Sequence, residues 1–294
     1  MHASNANVND VQEKLQHDVD KINIWCTNNN MAINPVKTNS MLIGSKQKLK
    51  SAPVLDINIE NKKIQRVKSQ KLLGIYIDEN LKWNIQVQNV CKLIQNKKAL
   101  LKRISYFLTA EMKELFYNSY ILSCFDYGCI VWSNCSKTDF EKLNKLQKRA
   151  AKIILKKSIK TPYLYLFKEL NWITFKNRCE YHMALIVFKA INNLNPTYIS
   201  NLLIFTNNES YKLRSSTRND LVHRPCNSNY DKNSFLYSTM KIWNNLPMFI
   251  RQCTNVNSFK RNLKKISFRH ADLCNLLHCI IFIMFLMLFL KVIL

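Results

Sequence analysis

"LNKLQKRAAKIILKKSIK", residues 143–160, carries two patterns at once. Leu143, Leu146, Ala150, Ile153 and Ile154 recur at three- and four-residue intervals, the period that lines side chains along one face of an α-helix. Lys145, Lys148, Arg149, Lys152 and Lys156 fall mainly on the other side, Lys157 extends the run, and no acid occurs from 145 to 160. A solvated helix face ordinarily mixes signs, so an unmixed row predicts an anionic partner. With a rise of about 1.5 Å per residue, such a row can follow several phosphates of an RNA or DNA backbone, each neutralised with counterion release.

The same period continues upstream. Val87, Val90, Cys91, Ile94, Leu101 and Ile104 predict one face of a long basic helix, and Met112, Leu115, Phe116, Ser119 and Tyr120 predict the face of another. "LRSSTRNDLVHRPCNSNYDKNS", residues 213–234, is polar enough to predict a long loop. The first 80 residues read differently. Val8, Val11, Leu15, Val19, Ile22 and Trp25 predict a helix over 8–27 with an asparagine cap. Strands are expected at 32–34 and 40–43, a hairpin over 54–67 turning at Glu60-Asn61-Lys62, and a further strand over 71–78, "KLLGIYID". The fold class that follows is α+β: a small piece of helix plus antiparallel strands over 1–80, then helical regions over 81–165 and 166–270, then an apolar tail over 271–294.

Composition narrows the function. The 294 residues hold 44 Lys and Arg against 19 Asp and Glu, a formal charge of +25, so nucleic acid leads the expected partners and an acidic membrane surface follows. The only glycines are Gly44, Gly74 and Gly128, so neither GxGxxG nor GxxxxGK can be built and nucleotide-cradling loops are excluded. Ten cysteines show no CxxC pair, and the histidines no HxxxH, so no metal site is expected. "MHASNANVND" has no apolar core for secretion, which predicts a reducing, intracellular setting (cytoplasm or nucleus) without disulfides.

Several segments in order resemble one family. "LQHDVDKINIWCTNNNMAINPVKTNSMLIG" (15–44) followed by "QKLLGIYIDENLKW" (70–83) is similar to the stretch just after the catalytic loop in reverse transcriptases of jockey-like non-LTR retrotransposons. "YNSYILSCFDYGCIVWSNCSKTDFEKLNKLQKRAAKIIL" (117–155) resembles the helical region behind that polymerase, and "SFLYSTMKIWNNLPMFIRQCTNVNSFKRNLKK" (234–265) its C-terminal Trp-Asn-x-Leu-Pro pattern. The resemblance covers about residues 3 to 266.

The resemblance implies an RNA-directed DNA polymerase of which this chain is a C-terminal fragment: the end of a palm, a thumb-like helical region and a further helical part. It implies that Lys37, in "NPVKT", stands near the phosphates of the incoming nucleotide as a phosphate-side acid. On residue type alone Lys37 reads first as a solvated turn residue. Leu73 and Gly74 would belong to the strand and turn that grip the primer. The family's Tyr-x-Asp-Asp motif, whose carboxylates hold Mg²⁺, is expected just before residue 1 and does not occur in the sequence. Asp10, Asp18 and Asp20 lie on a predicted helix, where capping or solvation accounts for them. The fragment is therefore expected to bind no cofactor or small-molecule substrate, and to retain at most nucleic-acid binding.

The tail falls beyond the resemblance. "CIIFIMFLMLFLKVIL" is uninterruptedly apolar from 279 to 290, and 276–294 approaches the roughly 20 residues of a membrane span despite His278 and Lys291. It reads as an out-of-context extension, a membrane anchor or a buried helix. The anchor reading supports the competing class, a standalone basic interaction protein held at a membrane.

Overall fold

The computed structural model describes residues 1–5, 7–158, 160–205, 220–222, 225–226 and 228–266, so the apolar tail lies outside the described residues. The described residues divide into two units, one of residues 1–86 and one of residues 87–266.

In the first unit, Asn7 caps helix α1 (Val8–Asn28): its side-chain oxygen accepts from the Asn9 amide at 3.0 Å, satisfying one of the donors a helix start leaves free. The apolar stripe of α1 then covers residues 55–64. Val19, Leu55, Ile57, Ile59 and Ile64 are buried together, with Val8, Leu15 and Ile33 packed against them. Two glutamines one turn apart on α1 complete this contact. Gln12 accepts from the Asp56 amide at 2.9 Å, while Gln16 accepts from the Asn58 amide and donates to the Asn58 carbonyl, each at 2.9 Å. The helix thereby supplies hydrogen bonds that a neighbouring strand would otherwise make.

Among the described residues of this unit, three short strand pairs make up the β structure. β1 (Asn39–Ser40) precedes helix α2 (Lys46–Ser51), and β2 (Asn58–Ile59) pairs antiparallel with β3 (Lys62–Lys63). Glu60 and Asn61 have φ of 47° and 63°, the two left-handed residues of a tight hairpin turn whose twist suits its strands. β4 (Gln65–Arg66) pairs with β1, and that pairing is parallel, against the purely antiparallel expectation. β5 (Ser69–Leu72) and β6 (Ile75–Asp78) pair antiparallel.

Three strand expectations are corrected here. Residues 71–78 are two strands, because the chain reverses at Leu73 and Gly74, with φ of 46° and 85°. Residues 32–34 form no strand: the Asn34 side chain accepts from the amides of Val36 and Lys37 at 3.0 and 3.3 Å and folds the chain into a turn instead. Of residues 40–43 only Ser40 pairs.

The second unit is helical: α3 (Asn84–Ile104), which begins just ahead of it, α4 (Ala110–Phe116), a π-helical turn (Tyr117–Ile121), α5 (Leu122–Asp126), α6 (Cys129–Trp132), α7 (Lys137–Leu155) and α8 (Tyr163–Glu169). α9 (Phe175–Ile191), α10 (Thr197–Ser200), α11 (Asn229–Lys232), α12 (Phe235–Asn244), α13 (Met248–Arg251) and α14 (Val256–Ile266) follow. On α3 the expected face is buried at Val87, Val90, Cys91, Ile94 and Leu101. The expected face of α4 is not. Met112 and Leu115 are 53% and 68% exposed, while Lys113, Tyr117, Ile121 and Phe125 turn inward. The inward residues recur every fourth position from Lys113 to Phe125, wider than the 3.6 of an α-helix, a spacing that the π turn between them accommodates.

α9 is the centre of this unit. Tyr181, Ala184, Leu185 and Phe188 share a core with Met240, Trp243, Ile250, Phe259 and Leu263, and the Phe188 and Phe259 rings stack at 4.1 Å. Within the predicted loop 213–234, α11 interrupts the irregular chain, and residues 213–219, 223–224 and 227 lie outside the described residues. Asn244, from the Trp-Asn pair, pins Leu221 at two points: it accepts from the Leu221 amide at 2.9 Å and donates to its carbonyl at 3.0 Å.

Candidate nucleic-acid interface

α7 is fixed at its ends and along its inner face. Ser136 caps it, accepting from the Asp139 amide at 3.2 Å while its hydroxyl donates to the Asp139 carboxylate at 2.8 Å. The far end closes at Lys156, whose left-handed φ of 51° lets the Lys157 amide reach the Lys152 carbonyl at 3.1 Å. Leu143, Leu146, Ala150, Ala151 and Ile154 are buried, and Gln147 donates to the Ile173 carbonyl at 2.9 Å, which fixes the rotation of the helix.

That rotation turns the cations outward. Lys145, Arg149, Lys156 and Lys157 are exposed, and Lys148 and Lys152 are half-buried along their stems. Partial burial and the Lys148 charge one turn away lower the Lys152 ammonium from its ordinary value. Among the described residues no ion pair engages Lys145, Lys148, Arg149 or Lys156. Lys157 differs: it stands 4.0 Å from Glu169, with its ammonium 5.4 Å from the Tyr165 ring.

α3 contributes a second row that the α7 pattern does not announce. Burial lowers the Lys98 ammonium, and the charges of Arg149 and Lys102 lower it further, so Lys98 lies within electrostatic reach of the α7 face. The signal was present in sequence as a stretch from 84 to 110 with five cations and no acid. What it lacked was any indication that this helix adjoins α7.

The other expected site residues belong to the first unit. Lys37 is exposed on the turn organised by Asn34, whose carbonyl also accepts from the Lys37 and Thr38 amides at 3.2 and 3.1 Å. Leu73 and Gly74 form the exposed tip of the β5–β6 hairpin. Asn39 donates to Gln70 at 3.2 Å, tying the strand that follows Lys37 to the hairpin that carries Gly74.

A buried polar cluster had no counterpart in the sequence reading. Both carboxylate oxygens of Asp126, at the end of α5, accept from the Arg178 guanidinium on α9, and the His182 ring lies 3.6 Å away. Burial alone would raise the Asp126 carboxyl, yet the Arg178 charge holds it down to about 2. So weak a base, with both oxygens engaged, suits a clamp between α5 and α9 and not proton transfer. Nearby, the Cys129 thiol is pushed well up by its hydrogen bond with Cys179 and by burial, which leaves it unreactive.

Among the described residues no group of three or more His, Cys, Asp or Glu side chains is placed to hold a metal ion. No helix among them is long and apolar enough to cross a membrane. No family model, curated protein or solved structure matches this chain.

Proposed function

We propose that this chain is part of a reverse transcriptase of the non-LTR retrotransposon type, and that its own activity is to bind RNA or DNA along the phosphate backbone. The observation that carries the reading is the outer face of α7, where Lys145, Lys148, Arg149 and Lys156 meet no acid among the described residues and Lys98 of α3 adds to the same field. Such a face meets phosphates but offers few groups that read base edges, so binding has little sequence preference. In a complete polymerase the same reading gives Lys37 the role of phosphate-side acid and Leu73 and Gly74 a place in the primer grip.

Salt dependence tests the proposal. If about four phosphates are met, the slope of log affinity against log salt is near −3 to −4, at roughly 0.7 to 0.9 per phosphate. Replacing Lys148, Arg149 and Lys152 by Gln makes the slope shallower by about two to three while preserving helix, because Gln is a good helix former. An unchanged slope with a normal circular dichroism spectrum moves the interface elsewhere. A negligible slope in the unmodified protein favours the basic interaction protein instead.

A further inference from the structure

Exposed aromatic rings cluster beside the two cationic rows, and most already have an occupant. The Tyr120 ring lies 4.0 Å from the Lys97 ammonium and edge-on to Phe116, and Tyr165 faces Lys157. Tyr106 and Phe107, at the corner between α3 and α4, do not follow this pattern. They are 88% and 80% exposed, and among the described residues their rings meet only each other, edge to face at 5.5 Å.

The corner is built, not loose. Ser105 donates to the Lys102 carbonyl at 2.7 Å and the Phe107 amide to the Ile104 carbonyl at 3.0 Å, so the turn is tied to the last turn of α3. Thr109 then caps α4, accepting from the Met112 amide at 3.3 Å. Leu101, fully buried, anchors the α3 side. The two rings are thus presented to water on a fixed backbone, which lowers the ordering cost of binding.

Position selects the occupant. Lys98 and Lys102 lie one turn apart on α3, about 6 Å along the axis for four residues at about 1.5 Å each, and Tyr106 follows four residues later. Lys98 also shares its field with Arg149 of α7. A strand whose phosphates follow Arg149, Lys98 and Lys102 is led toward the two rings. Bases of a duplex are stacked and paired inside it, whereas those of a single strand offer free faces to aromatic side chains.

We infer that Tyr106 and Phe107 form a stacking site for unpaired bases of an RNA or DNA strand held on the adjoining cations. The inference rests on the proposed backbone binding, and adds to it a preference for single strands.

Fluorescence anisotropy with oligothymidylate, oligouridylate and a duplex, each roughly 20 nucleotides long, tests it on the full chain. The unmodified protein binds single strands more tightly than duplex at equal salt. Tyr106→Ala with Phe107→Ala weakens single-strand binding by roughly 100-fold, about 10-fold per ring, and leaves duplex affinity and the salt slope unchanged, because no charge is removed. Tyr106→Phe, which keeps the ring, retains single-strand affinity. Equal losses on single strand and duplex, or no loss on either single strand, overturn the stacking site while backbone binding stands. Self-association in sedimentation that disappears in the double variant also overturns it and assigns the rings to a protein contact. Absence of salt-dependent binding to any of the three probes removes the backbone reading itself.

Discussion

α7 and α9 are helices of 19 and 17 residues that pack against each other, yet they treat charge in opposite ways. α9 is buried almost all round, and Arg178, its buried cation, is matched by Asp126. α7 is buried on one face only. Arg149 on its outer face meets no carboxylate among the described residues. The contrast follows from solvation. Removing an ion from water costs several kcal/mol unless a partner and hydrogen bonds offset it, whereas an exposed cation keeps its water and needs neither. The buried charge on α9 therefore has to belong to the fold. Lys145, Lys148, Arg149 and Lys156 on α7, engaged by no ion pair among the described residues, can serve something outside it.

The largest effect expected from this contrast is at Arg178. Arg178→Ala leaves Asp126 buried without its cation and should cost about 3–5 kcal/mol in urea unfolding. Combining Arg178→Met with Asp126→Leu should cost far less, because neither desolvated charge remains. A single-variant loss below about 1 kcal/mol would mean that the pair is solvated, and the distinction between the two helices would narrow.

Acid reads the same pair with a smaller effect. Asp126 is held at about 2, below the ordinary 3.8, so its contribution to stability is complete above pH 3.8 and is lost as pH falls toward 2. At about 1.4 kcal/mol per pH unit, the fall from 3.8 to about 2 is about 2 kcal/mol. Urea midpoints measured between pH 5 and roughly pH 2 should decline more steeply in the unmodified protein than in Asp126→Asn. Parallel declines would assign the acid sensitivity to other carboxylates.

What was legible in sequence was local. The Asn7 cap, the stripe of α1 as far as Val19, the Glu60–Asn61 turn and the two faces of α7 each lie within one element, where periodicity and turn chemistry act directly, whereas Ile22 and Trp25, expected on the same stripe, are exposed. The clamp was not legible, since Asp126 and Arg178 are 52 residues apart and neither belongs to a motif. The proximity of Lys98 to Arg149 was hidden for the same reason. Gln12 and Gln16 carry no motif that marks their role, and only the chain edge beside them shows it. On α4 the period was visible but its phase was not, because a buried Lys113 and a π turn break the rule that apolar residues mark the inner face.

The smallest expected effect is the one that separates α7 from α9 most cleanly. Lys148→Gln, Arg149→Gln and Lys152→Gln together remove three charges from one helix face, and among the described residues no ion pair engages Lys148 or Arg149. Lys148 and Lys152 stand at i and i+4 and Arg149 and Lys152 at i and i+3, spacings at which like charges repel on a helix. Substitution relieves that repulsion while Gln keeps the helix propensity, so the melting temperature should stay within about 2 °C of the unmodified protein, or rise. Three charges lost from α7 would then matter less to folding than one lost from α9. A fall of more than about 5 °C would show that these side chains are bonded into the fold, and would withdraw the argument that Lys148 and Arg149 are available to phosphate.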